Sequence, residues 1–279
     1  MKVDAHHHFI NLDEIEYAFL NPGLEKIYRN FGPSDLQPLL NQFGIDKTIV
    51  VQAQNGYDET EYLLDVANKV DWIAGVVGWV PLDRPTEADS KLKILTNNPK
   101  FKGVRHLLFE EKEDWLITPK VIEGLKVLAS YNVLFEIPAE YPNHLHYIPT
   151  LMEEIPDLKV VIDHLAKPPI HEGKISKWSE QLEKAAKYPN VYAKVSGLNT
   201  ATADAENWTA EDLRPYIDVA FDLFGHERLM FGSDWPVACL AGDYKKVWNE
   251  TNEILKKYSL VEQEAVLGLN TLKVYNLLV

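Results

Sequence analysis

One cysteine, Cys239, is all the thiol chemistry that 279 residues contain. An internal disulfide is excluded, and a reducing cytoplasm is the expected setting. No stretch approaches 18 consecutive apolar residues, so no membrane-spanning helix is expected. The amino terminus turns polar at Asp4 and lacks the apolar run of a secretion signal. Basic residues are scarce, 28 against 42 acidic. The formal charge of −14 repels phosphate backbones, so nucleic acid is not an expected partner. An anionic small molecule would need a local cluster of Arg, Lys or His. Also missing are a G-x-G-x-x-G turn, internal repeats, low-complexity tracts and any linker long enough to divide the chain into separate domains. A single domain over 1–279 is the expectation.

What is present is a regular alternation. Apolar residues make up 46% of the chain, enough for a large core. β-Branched and aliphatic runs read as strands at 3–9, 47–53, 73–80, 101–108, 133–138, 160–165, 191–196 and 229–234. Segments with helical spacing lie between them. Leu36, Leu39, Leu40 and Phe43 mark one, entered through Pro33-Ser34 and closed by Gly44. Tyr62, Leu63, Val66 and Val70 mark a second, and Thr118-Pro119 opens a third through Val121, Ile122, Leu125 and Leu128. Further helical patterns cover 143–155, 175–188, 211–224, 243–257 and 261–276. Interiors such as Ile49-Val50-Val51 and Val160-Val161-Ile162 are apolar on both faces, as a covered parallel sheet requires. Eight such strands fit a closed (β/α)₈ TIM barrel, with an open doubly wound sheet as the competitor. The long connection over about 10–46 is expected to cover the barrel mouth.

The chemistry gathers at strand ends. Asp4-Ala5-His6-His7-His8-Phe9 sets His6 and His8 on one strand face, with Asp4 beside them and His7 turned away. Later strands end in Trp79, Arg105-His106, Glu136, His164, Ser196 and Asp234, while their early positions stay apolar. The carboxyl end of a barrel is where active sites form. His6, His8, His164 and Asp234 supply nitrogen and oxygen ligands suited to Zn²⁺ or another divalent first-row ion. Coming from the first, sixth and eighth strands, they converge only if the sheet closes. Competing readings are a buried histidine bonded to a carbonyl for His164 and a turn or cap residue for Asp234. Cys239 has no neighbouring base in sequence and reads as a packed small residue.

The segments DAHHHF, FKGVRH, VIDHLAKP, KVSGL and FGSDWPV resemble the amidohydrolase superfamily, in the branch that holds sugar-lactone hydrolases. The likeness runs from the first strand to the last, and it implies an amidohydrolase-like barrel with its site at the mouth. It matches His6 and His8 to the strand-one ligands, His164 to the strand-six histidine and Asp234 to the strand-eight aspartate. Two-metal members need a bridging Lys or Glu and a second histidine on strand five. Strand five here offers Glu136, and Lys102 sits at the wrong end of strand four. One divalent ion, zinc before others, or none is the expectation.

The implied reaction is hydrolysis of a small aldonolactone, with Asp234 as general base on water. Either Arg105 or His106 would polarise the carbonyl, since alternation turns only one of them inward. His164 would protonate the leaving alkoxide. Trp79 and Trp235 would face a sugar ring, and Glu136, Lys167, Ser196 and Asn199 would bond its hydroxyls. Two other readings stay open: a metal-dependent, non-oxidative decarboxylase of the same superfamily, and a non-catalytic carbohydrate-binding barrel. A monomer or homodimer is expected.

Overall fold

A computed structural model of the chain describes residues 1–277; the last two positions of the expected 1–279 unit lie outside it. Eight parallel strands run in sequence order, β1 (Val3–His7), β2 (Lys47–Val51), β3 (Ile73–Gly78), β4 (Phe101–Arg105), β5 (Leu134–Ile137), β6 (Val160–Ile162), β7 (Val191–Val195) and β8 (Leu229–Phe231). Each is followed by helix: α1 (Pro33–Phe43), α2 (Tyr57–Lys69), α3 (Pro85–Leu95), α4 (Pro119–Ser130), α5 (Ile148–Glu154), α6 (Ser176–Ala186), α7 (Ala210–Phe224) and α8 (Tyr244–Leu255). Two more short helices, α9 (Leu260–Glu264) and α10 (Asn270–Val274), flank a π-helical turn at Ala265–Leu269. The chain is a (β/α)₈ barrel.

Patterning explains the layers. Outward strand residues such as Val50, Val104, Ile162 and Phe231 pack with the helices in the main core. Ala5, Ile49, Val51, Val77, Leu134, Val161 and Met230 fill the barrel interior, plugged by Val274 and Tyr275 from the chain's end. The α3 helix is absent from the sequence-based assignment because its buried face is thin: only Ala88 and Leu92 are fully covered. Elsewhere the expected helices and strands are present, with the strands shorter at their carboxyl ends.

Closure happens at the site itself. Beyond β8, Asp234 N donates to His6 O at 2.8 Å and His8 N donates to Trp235 O at 2.7 Å. Those two bonds join the last strand's extension to the first strand. Gly232 lies in this seam, where an added Cβ would come within 2.6 Å of His6 Cβ. Only glycine fits there.

The β1 strand is not a regular alternation. Asp4 pairs with Thr48 but His7 pairs with Val50, so β1 carries one extra residue between them. Such a bulge turns two consecutive side chains toward one face. Ala5 and His6 both point inward, and Asp4 points out. Asp4 is therefore not on the ligand face, contrary to the simple strand reading. It accepts bonds from the backbone of Ser233 at 2.8 Å and from Tyr244 Oη at 3.1 Å. Burial pushes its carboxyl up to about 6.

Candidate active site

Two of the four expected ligands sit on strained backbone. His164 has φ 53° and Asp234 has φ 57°. His164 begins a left-handed turn that continues through Leu165, Ala166 and Lys167 at φ 49–60°. For residues with a Cβ this conformation costs roughly 1–2 kcal/mol each. It is held by Lys167 N donating to His164 O and by Trp178 Nε1 donating to Leu165 O, at 2.9 and 2.8 Å. The gain is directional. In an extended strand Asp163 and His164 would face opposite ways, and the left-handed turn lets both face the barrel axis.

Four donor atoms meet at the mouth. His6 Nε2 and His8 Nε2 are 3.2 Å apart, and His8 Nε2 lies 3.2 Å from Asp234 Oδ1. From that oxygen His6 Nε2 is 3.6 Å away and His164 Nε2 is 3.9 Å away. Ligands bound at about 2.0–2.1 Å around a tetrahedral ion lie about 3.4 Å from each other. His6, His164 and Asp234 offer donor atoms that all lie within 4.8 Å of one another, and His8 Nε2 adjoins that trio through His6 and Asp234. Burial lowers the pKa of both His6 and His164, so both keep a lone pair at neutral pH. Burial would raise Asp234, but His164, the His8 hydrogen bond and His6 outweigh it, and its carboxyl lies well below the usual range. The cluster is one anionic oxygen among three imidazoles, and it is suited to a divalent cation.

A cavity of about 200 Å³ opens above the cluster, reached by His8, His164 and Asp234 from below and by Arg105 from the side. Its outer wall is largely apolar, with Phe19 from the long β1–α1 connection and Leu107, Leu108 and Phe109 after β4. Glu140, His144, Lys167 and Thr200 add polar groups, and Lys167 pairs with Glu140 across the rim. Among these lining residues only Lys167, Arg105, His8, His164 and Asp234 carried a sequence signal. Leu107, Leu108 and His144 fall within an expected strand and an expected helical segment but carried no site signal, and Phe19, Phe109, Glu140 and Thr200 lie in stretches without periodicity.

Residues 3–277 match the amidohydrolase family profile. This chain belongs to the amidohydrolase family. An L-fucono-1,5-lactonase of Burkholderia ambifaria is 37% identical over 244 residues, covering 87% of this chain and 83% of that protein. A second L-fucono-1,5-lactonase, from Burkholderia multivorans, is 30% identical over 293 residues, covering 99% and 96%. An amidohydrolase from Burkholderia multivorans solved with bound zinc superposes with a TM-score of 0.91 at 28% identity, over 100% of both chains.

In this amidohydrolase the structure chooses between Arg105 and His106. Arg105 lines the cavity, with Nε on Asp163 Oδ2 at 2.7 Å and Nη1 on Gln52 O at 3.0 Å. His106 turns away. Its Nδ1 accepts from Trp79 Nε1 at 3.0 Å, its Nε2 meets Glu111 at 3.0 Å, and its ring stacks on Trp115 at 4.0 Å. Trp79 is thus occupied in that cluster and does not line the cavity. Trp235 belongs to the closing seam, its ring edge-on to Phe31 at 5.2 Å. Glu136 is fully buried below the site, bonded to Lys194 Nζ at 2.5 Å and to Tyr275 Oη. Ser196 holds His164 through an Oγ–Nδ1 contact of 2.8 Å, and Asn199 spans to the carbonyls of Ala238 and Ala241. Trp79, Trp235, Glu136 and Asn199 are therefore not on the ligand-facing wall where the sequence reading put them. Burial pushes the Cys239 thiol up to about 11, which suits a packing residue.

Two expected outcomes follow from these contacts. Gly197 has φ 61°, and a Cβ there would sit 2.6 Å from His164 Nδ1 and 2.8 Å from Asp234 Oδ2. Gly197→Ala is expected to displace both side chains and lower kcat/KM by at least about 10²-fold, since misplacement near 1 Å has that effect. Steady-state kinetics with parental activity would show that the site tolerates the methyl. The second concerns His106, which burial holds down to about 4 against the pull of Asp83. The unfolded chain takes up a proton near pH 6.5 that the native one refuses, because Nδ1 must stay free to accept from Trp79. Stability from this group is complete above pH 6.5 and falls as pH drops toward 4, by about 1.4 kcal/mol per unit. In urea melts at pH 7.5, 6 and 5, the advantage of the parent over His106→Asn should shrink in that order. A constant gap would show that His106 is not the group responsible.

Proposed function

We propose that this amidohydrolase opens sugar lactones, aldono-1,5-lactones first, by adding water to the ring carbonyl. The reading is carried by Asp234, an ionised carboxylate held at the cavity floor against His8 and His6 and facing a pocket of small-molecule size. The two similar fuconolactonases support the substrate class. The whole chain acts as one domain in the cytoplasm, as a monomer or a homodimer.

The residues divide the work. Asp234 takes a proton from water as its oxygen bonds to the carbonyl carbon. Arg105 has Nε and Nη1 committed to Asp163 and Gln52, which leaves Nη2 to meet the carbonyl oxygen as negative charge builds there. When the ring C–O bond breaks, Asp234 returns its proton to the leaving alkoxide, and the product is a hydroxy acid. Ser196 fixes the His164 ring so that Nε2 faces the cluster. His6, His8, His164 and Asp234 are the residues that would hold Zn²⁺. The ion, when bound, lowers the pKa of water and polarises oxygen as a Lewis acid. The similar zinc-bound structure supports zinc as the choice.

The apolar wall of Phe19, Leu107, Leu108 and Phe109 suits a substrate with one unhydroxylated face. A pH-indicator assay over 1,5- and 1,4-aldonolactones tests the reaction, because lactone opening at neutral pH releases a proton. Saturable acid release is expected. No acid release from any lactone on the panel would remove the hydrolase reading.

A further inference from the structure

The proposed reaction gives Asp163 no direct part, yet its side chain is fully buried next to the candidate ion ligands. Its Oδ2 accepts from Arg105 Nε at 2.7 Å. Its Oδ1 has no hydrogen-bond donor among the described residues, although His6 Nδ1 stands 3.2 Å away. A buried acceptor left unbonded costs about 1–3 kcal/mol, and more when charged. That oxygen calls for a donor.

His6 has one to give. A neutral imidazole carries its proton on one nitrogen only, and the hydrogen bond at the other nitrogen decides which. For His6 Nε2 to offer a lone pair beside His8 and Asp234, the proton must sit on Nδ1. Two groups compete for Nδ1: Asp163 Oδ1 at 3.2 Å, and Lys194 Nζ at 3.1 Å. An ammonium there would favour the opposite tautomer, with hydrogen on Nε2. Lys194, however, has three N–H donors and two carboxylate oxygens to give them to, Glu136 Oε2 at 2.5 Å and Asp163 Oδ1 itself at 3.5 Å. At that Asp163 oxygen His6 Nδ1, 3.2 Å away, stands nearer than Lys194, and an ammonium bonds more strongly to carboxylates than to a neutral ring nitrogen.

We propose that Asp163 is the positioning residue for His6. It accepts the Nδ1–H bond, holds the tautomer whose Nε2 lone pair faces the cavity, and is itself braced by Arg105. The inference depends on the hydrolase reading only in taking His6 as an ion ligand. Asparagine cannot replace it. His6 Nδ1–H and Arg105 Nε–H are both donors, one at each end of the group, and an amide offers an acceptor at one end alone.

The test uses the full chain labelled with ¹⁵N-histidine and freed of metal by chelation. Long-range ¹H–¹⁵N spectra report the tautomer of His6, and competition against a chromophoric chelator reports affinity for Zn²⁺. The parent should show the Nδ1–H form and bind Zn²⁺. Asp163→Asn should lose that form and bind Zn²⁺ about 10–100-fold more weakly, the effect of removing an outer-shell partner. An Nε2–H tautomer in the parent overturns the proposal. So does parental Zn²⁺ affinity in Asp163→Asn, or a parent that binds no Zn²⁺. The parent spectrum decides the point even where Asp163→Asn fails to fold. A lactone panel without turnover would remove the hydrolase reading and leave the tautomer assignment in place.

Discussion

Replacing Asp234 by Asn is expected to lower kcat for lactone opening by about 10³-fold, the middle of the range for losing a positioned general base. The substitution is nearly isosteric, and the backbone that carries it is fixed by Asp234 N on His6 O and by Ala238 N on Asp234 O, both at 2.8 Å. The amide NH₂ can donate to His8 Nε2, whose lone pair is free because Nδ1–H is held by Val51 O at 2.8 Å, but an amide cannot take a proton from water at neutral pH. The three imidazoles around it also lose their anionic partner, so weaker ion binding accompanies slower turnover. Measurements of kcat with and without added Zn²⁺ separate the two losses. Turnover that stays low at saturating Zn²⁺ belongs to proton transfer. Parental kcat in Asp234→Asn would take the base role away from this residue, and a large fall in melting temperature would show that the backbone had not held.

The barrel was readable because its evidence is repeated eight times. Strand interiors such as Val160-Val161-Ile162 have few other uses in a chain that alternates with helical spacing. Closure made the meeting of His6, His8, His164 and Asp234 readable too, since the four share a site only in a barrel. What escaped has physical causes. The bulge in β1 moved Asp4 off the ligand face, and a single extra residue leaves no mark in the sequence pattern. Asp163 precedes His164, so strict alternation turned it outward, and the left-handed turn reversed that. Lys194 was the one omission with a visible signal. A lysine inside the strand VYAKVS, two residues before Ser196, shares the face of a site residue. Tyr275 was invisible, because nothing local tells that the chain's end returns to plug the barrel.

Lys194 is also where the second large effect is expected. It is fully buried and forms one layer with Glu136, Asp163 and Arg105 beneath the candidate ion site. Two cations and two carboxylates balance within that layer, and Tyr275 closes it from below through Glu136. Burial raises Glu136 to about 7, with Lys194 pulling the other way. Lys194→Met keeps the length of the side chain but strands Glu136 and Asp163 without their shared cation. Breaking one partner of a buried pair costs about 3–5 kcal/mol, because a charge is left in a medium that cannot solvate it. In a chain of this size that is a fall of about 10 °C in melting temperature. Pairing it with Glu136→Gln should recover much of the loss, since the amide keeps a bond to Tyr275 and removes the stranded charge. Additive losses in the double variant, or a Lys194→Met protein as stable as the parent, would show that the layer is not coupled as its distances imply. The neutral balance matters for the site above it, because His6 touches both Lys194 and Asp163. Without Lys194 only Asp163 is left facing His6 Nδ1, so the ring keeps its proton there while the charge beneath the ion site becomes more negative.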